Sequence, residues 1–174
     1  ESYDLLYYGQ KLKEYKYDFN EEDLRSYFVA ENVVDGAFNV ANKLYGLNFI
    51  LQDDIQLFHQ DVNVYKVEDE NNIYVGLLYI DLHPRKTKRG GAWMNQLRSM
   101  GMYKGEIQNP HVTLNCNLTR GSGDEPSLLS INEVRTIFHE FGHLLHDILS
   151  VSDLVSQSGT SVAMDFVEMP SQIL

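Results

Sequence analysis

Apolar residues recur at roughly helical spacing through the first part of the chain. Leu24, Phe28, Val33 and Phe38 follow one another, and the pattern runs on through VANKLYG to Gly46. Asn20, ahead of Glu21, Glu22 and Asp23, supplies a start signal. Its side chain can cap free N–H groups, and the acids suit the positive end of a helix. Gly46 is a natural stop, because glycine takes the left-handed backbone that closes a helix. Gly36 lies inside the pattern and predicts a break into two helices. Residues 1–50 are therefore expected to be helical.

Further along the period changes. Val62, Val64 and Val67 predict a strand and Asp69 to Asn72 a turn. IYVGLLYIDL, Ile73 to Leu82, is largely apolar and predicts a central strand, paired with the first as an antiparallel hairpin. HPRKTKRGGAWM reads as a basic, glycine-containing loop, its KRGGAW part a solvated turn or a mobile lip near substrate. HVTLNCNLT, His111 to Thr119, predicts a third strand, and RGSGDEPS a turn-rich connection. Ser130 and Glu133 then form a capping box ahead of Val134, Ile137, Phe138, Phe141, Leu144, Leu145 and Ile148. After the polar link VSDLVSQSGTS, helical spacing resumes in VAMDFVEMPSQIL, interrupted at Pro170. A helical part (1–50), a sheet (60–120) and two helices (130–174) give one α+β domain: mainly helical, with a small, mostly antiparallel sheet beside the Ser130 helix.

Composition narrows the function. The chain has 174 residues, enough for one sizeable core, and a formal net charge of -11 with a pI near 4.8. That balance argues against nucleic acid as a partner, which needs a basic footprint, and suits cationic substrates better. No apolar run approaches the roughly 18 residues needed to span a membrane. ESYDLLYYGQ lacks the basic start and apolar stretch of a secretory signal, so a cytoplasmic location is expected, with the periplasm as the alternative. The single cysteine, Cys116, excludes an intrachain disulfide and reads as a small buried residue in a strand. A start at Glu1 and an end at PSQIL suggest a piece of a longer protein.

The chemistry concentrates in FHEFGHLLHDIL, Phe138 to Leu149. Residues four apart share a helix face, so His139 and His143 can aim two imidazoles at one point. Glu140 is rotated aside, within reach of a water on a metal held there. This is the H-E-x-x-H arrangement, in which two histidines hold zinc and the glutamate is the general base. A solvated face with spare histidines is the bland alternative, and it fits poorly with an apolar helix where such groups are costly to bury. His146 reads as packing or support. Catalytic zinc usually takes three protein ligands and a water. Asp147, Asp153, Asp165 and Glu168 are the downstream candidates for the third. Asp147 continues the helix's own stripe, Asp153 lies in the link, and Asp165 and Glu168 lie one turn apart on the next helix. Geometry slightly prefers that helix without choosing between them.

FHEFGHLLH followed by SGTSVAMDFVEMPSQ resembles the thimet oligopeptidase, oligopeptidase A and peptidyl-dipeptidase family of zinc metallopeptidases. KRGGAWM, VANKLYG and DGAF resemble its bacterial peptidyl-dipeptidase branch. The resemblance implies a zincin-like catalytic core and one Zn2+ ion held by His139, His143 and Glu168, with Glu140 activating a zinc-bound water. It implies hydrolysis of short peptides by a longer parent, as an oligopeptidase or a dipeptidyl carboxypeptidase. It also implies that the parent's oxyanion-stabilising groups lie beyond Leu174, so that residues 1–174 alone are inactive and self-associate through uncovered apolar faces. A binding module that retains the peptidase fold is the competing reading. Many related zinc peptidases place an acid four residues after the glutamate ligand; that position is Gln172 here. Asp165 is then the candidate to support a ligand from the second shell. An edge-strand role in pairing with extended substrate falls to HVTLNCNLT.

Overall fold

A computed structural model of the chain describes residues 2–17, 21–123 and 125–174. The start signal at Asn20 lies outside them. Helix α1 spans Ser2–Tyr17, exposes Tyr3, Leu5, Leu6 and Tyr15, and contributes nothing to the buried core among the described residues. A 3-10 turn at Glu21–Tyr27 precedes α2, Ala30–Tyr45. Ala30, Val33, Val34, Ala37 and Ala41 are buried, an apolar stripe at the spacing of one helix face. Gly46 closes α2 at φ 68°, donating its N–H to the Asn42 carbonyl at 2.8 Å.

Gly36 does not break the helix. The break comes before Ala30, where Val29 is extended (φ -70°, ψ 133°) and bridges Leu128. Ala30 N–H donates to the Ser127 carbonyl, and Leu129 N–H to that of Phe28. A pairing with a distant segment therefore sets the start of α2.

The main sheet has five strands: β1 (Asn48–Leu51), β2 (Val62–Glu68), β3 (Tyr74–Asp81), β4 (Trp93–Arg98) and β7 (His111–Asn115), in the order β1-β2-β3-β7-β4. β5 (Gly101–Tyr103) and β6 (Glu106–Gln108) form a separate two-stranded ribbon. β2 and β3 make the expected hairpin, with Asp69 Oδ1 accepting from the N–H groups of Asn71 and Ile73, both at 2.8 Å. β3 is internal, as its apolar run requires, and pairs with β7 in parallel. β1 falls almost wholly in the part expected to be helical, and β4 begins in the last two residues of the segment expected to be loop and runs on through residues to which no element is assigned. Helix accounts for 41% and strand for 23%, so the chain is α+β with a larger sheet share than "mainly helical" implies.

β7 is not an edge. It lies between β3 and β4, and the free edge on that side belongs to β4. The edge-strand role expected of HVTLNCNLT is thereby corrected: the backbone groups of His111–Asn115 are taken up on both sides.

Helix α3, Ile131–Ile148, starts at the predicted capping box. The Ser130 hydroxyl accepts from Glu133 N–H at 3.2 Å, and the Glu133 carboxylate accepts from Ser130 N–H at 2.8 Å. α3 packs on β7, β4 and α2. Phe141 from α3 lies about 6 Å from both rings of the stacked pair Phe38 and Phe49, whose centroids are 4.1 Å apart. α2, β1 and α3 thus share one aromatic cluster. Helix α4, Met164–Ile173, continues through Pro170 and lies against α3.

Nor is KRGGAW simply a solvated turn. The Lys88 side chain is only 2% exposed, with its ammonium 2.8 Å from Asp81 Oδ1 and donating to the carbonyls of Asp81 and His83. Arg85 donates to both oxygens of Asp81 at 2.9 and 2.7 Å. Burial pushes the Lys88 pKa down, against the pull of Asp81. Gly90 and Gly91 in this loop have open space around them. Removing one partner of a buried ion pair costs about 3–5 kcal/mol. We expect Asp81→Ala to lose about that much, read as a lower urea midpoint at unchanged slope, whereas Arg89→Ala should leave the midpoint nearly in place.

Candidate metal centre

His139 and His143 lie one turn apart on α3, with ring centroids 4.9 Å apart and planes at 89°. Glu168 reaches them from α4. Its Oε2 is 3.2 Å from His139 Nε2 and 3.2 Å from His143 Nε2. One donor atom from each of the three residues falls within 4.8 Å of the others, the only such cluster among the described residues. The chemistry of this donor set, two imidazole nitrogens and a carboxylate oxygen, fits a divalent transition metal and is found in catalytic zinc sites.

Gly142 determines how close the helices come. A Cβ there would sit 2.5 Å from Ser171 Cα and 2.8 Å from the Pro170 carbonyl oxygen. No side chain fits, so the α4 backbone rests directly on α3 in the turn that carries both histidines. Ser171 is buried, and its hydroxyl lies 2.9 Å from both the carbonyl oxygen and Oε2 of Glu168.

Glu140 stays out of the cluster. It is only 8% exposed and lies near the backbone N–H of Met94 on β4. Burial raises its pKa, while His139, His143 and the Met94 N–H act the other way. A carboxylate beside the donor atoms but not among them suits work on a water rather than on the metal.

Of the four acids considered for the third ligand, Glu168 alone joins the histidines. Asp165 is exposed in the first turn of α4. The Asp153 carbonyl accepts from Met102 N–H. Asp147 is fully buried, accepting from Gln96 Nε2 of β4 at 2.6 Å and facing the Thr160 hydroxyl at 3.5 Å. Gly159, at φ +56°, has no room for a Cβ beside this carboxylate. Asp147 thus ties α3 to β4 and to the SGT link. The His146 ring lies 6.0 Å from that of Phe166, and its Nδ1, like that of His143, is buried without a hydrogen-bond partner. Burial pushes the Cys116 thiol up to about 12, which makes it inert. Sequence reasoning missed Gly142, Ser171, Gln96 and Met94. A glycine between the two histidines was the available signal for the first.

Comparison with known proteins places the chain among the metallopeptidases. It belongs to peptidase family M3, whose family model matches residues 1–174. Oligopeptidase A of Escherichia coli (strain K12) is 40% identical over 174 residues, which are 99% of this chain and 26% of that protein. Dipeptidyl carboxypeptidase of the same organism is 37% identical over 173 residues, 98% of this chain and 25% of that protein. A probable cytosolic oligopeptidase A from Arabidopsis thaliana is 36% identical, covering 99% and 26%. The chain spans about a quarter of the length of these relatives.

Burial pushes the Asp147 carboxyl up from 3.8 to about 6, against the pull of Gln96 and Thr160. The folded chain therefore holds this proton where the unfolded chain releases it. Stability from this group should fall as pH rises from about 4 to about 6 and then level off, by at most about 3 kcal/mol. Asp147→Asn, which keeps the shape, should flatten that slope in urea titrations run across the window. An unchanged slope would assign it to other groups.

Proposed function

We propose that His139, His143 and Glu168 hold one zinc ion, and that Glu140 is the general base of peptide-bond hydrolysis in the protein that contains this chain. The observation that carries this reading is the meeting of both Nε2 atoms with Glu168 Oε2 at 3.2 Å, with Glu140 buried beside them and outside the cluster. Two imidazoles and a carboxylate leave room for a fourth ligand. Zinc bound there would supply Lewis acidity, lowering the pKa of a water and polarising a carbonyl oxygen.

The rest of the chemistry falls to the chain's own groups. Glu140 accepts the proton that water gives up as its oxygen bonds to the peptide carbonyl carbon. As the C–N bond breaks, the same carboxyl returns that proton to the leaving nitrogen. Asp165 remains our candidate for support of the centre, acting from the exposed first turn of α4.

Short peptides are the proposed substrates, in keeping with relatives named oligopeptidase and dipeptidyl carboxypeptidase. The proposed compartment is the cytoplasm, in keeping with the relative named cytosolic. No described helix is long and apolar enough to cross a membrane. We read residues 1–174 as one partial catalytic domain of zincin-like design. Phe166, Met169 and Ile173 leave α4 with an exposed apolar face, which favours self-association when residues 1–174 stand alone.

In the full-length protein, Glu140→Gln should lower peptidase turnover by at least about a hundredfold with zinc content unchanged. Substantial remaining turnover would assign the base elsewhere, and loss of zinc would make Glu140 structural. A quenched fluorescent peptide assay beside light scattering should show zinc-loaded residues 1–174 to be associated and far slower than the full-length protein. Equal turnover from a monomer would show that these residues are the whole machine.

A further inference from the structure

The oxygen on which the centre turns has a third partner. Glu168 Oε2, which faces both imidazoles, is also 2.9 Å from the Ser171 hydroxyl. Glu168 itself is about half exposed, so a glutamate there would ordinarily range over several rotamers. Ser171 is only 3% exposed, and its hydroxyl has two acceptors in reach, both on Glu168. The carbonyl three residues back is an ordinary local acceptor for a helical serine. Here the same hydroxyl position also meets the carboxylate. Ser171 cannot withdraw, because its Cα is seated on Gly142. A chain of contacts thus runs from the backbone of the histidine helix, through Gly142 and Ser171, to Glu168 Oε2.

We propose that Ser171 is a positioning residue for the metal centre: its hydroxyl holds the Glu168 carboxylate in the orientation that brings Oε2 to His139 and His143. The proposal rests on the metal-centre reading above. Groups that orient a metal ligand from behind typically contribute 10–100-fold to metal affinity. A buried serine that merely fills space would contribute nothing that depends on its oxygen.

The test is zinc affinity, measured by chelator competition on full-length protein, with the visible spectrum of the cobalt-substituted form as a second readout. Ser171→Ala should keep the helical circular dichroism, weaken zinc about 10–100-fold and alter the cobalt bands. Ser171→Thr, which retains the hydroxyl, should recover most of the affinity and the parent spectrum. Zinc affinity and cobalt bands unchanged in Ser171→Ala would overturn the proposal. So would equal weakening in the alanine and threonine variants, which would mark a packing role. Glu168→Ala and His143→Ala run alongside. If these too bind zinc as the parent does, the metal-centre reading falls, an outcome distinct from failure of Ser171→Ala alone.

Discussion

At position 142 the side chain is a single hydrogen, and two helices meet backbone to backbone there. Nothing larger fits between α3 and the Pro170–Ser171 stretch of α4. The distance from Glu168 to the two histidines depends on this contact, since the glutamate comes from a separate helix reached through a polar link. A donor set drawn from two helices needs their separation fixed to a fraction of an ångström. A direct backbone contact achieves that better than interleaved side chains, which can change rotamer. The helix cost of a glycine, roughly 1 kcal/mol relative to alanine, is small beside what the close approach makes possible.

Strand β4 holds the other side of α3. Its Gln96 side chain donates to Asp147, so a buried carboxylate of that helix is tied to the strand. Asp147 carries the attachment further, to Thr160 at the head of the approach to α4. Glu168 is set from α4, and His139 and His143 belong to the helix between α4 and the sheet. β4 itself begins where Trp93 follows a loop that Lys88 anchors into Asp81 and that Asn117 holds by the carbonyls of Arg89 and Gly91. Arg89 lies over the Trp93 ring at 4.6 Å.

Local signals were readable in the sequence and distant ones were not. The capping box at Ser130, the turn at Asp69 and the stop at Gly46 depend on neighbouring residues, and each stands where the pattern put it. The pairing of His139 with His143 is likewise a property of one helix turn. Gly36 misled because the break before α2 comes from Val29 meeting Leu128, far along the chain. β1 is four residues long and follows the helix after two residues, so its period never separates from that of α2. β4 is an edge strand whose exposed alternate positions resemble a loop. Glu168 stood out through resemblance to known peptidases, whereas spacing alone left it level with Asp165. Gly142 and Ser171 act through a contact between helices, which no linear pattern contains.

Strand order divides the chain into unequal partners. β1, β2 and β3 form one antiparallel run, and β4 and β7 another. The two join only along the parallel seam of β3 with β7, where Gly76 leaves no space for a Cβ against the Pro110 carbonyl. The donor atoms of the candidate metal centre, and the groups that hydrogen-bond Asp147 and Glu168, all come from Trp93 onward. The earlier run is a buttress: it gives Val67, Leu78 and Ile80 to the core but no atom to the donor cluster. A substitution in residues 48–81 therefore reaches the donor cluster through packing, whereas the stretch after Trp93 carries the donor atoms themselves and the Gln96, Thr160 and Ser171 contacts beside them.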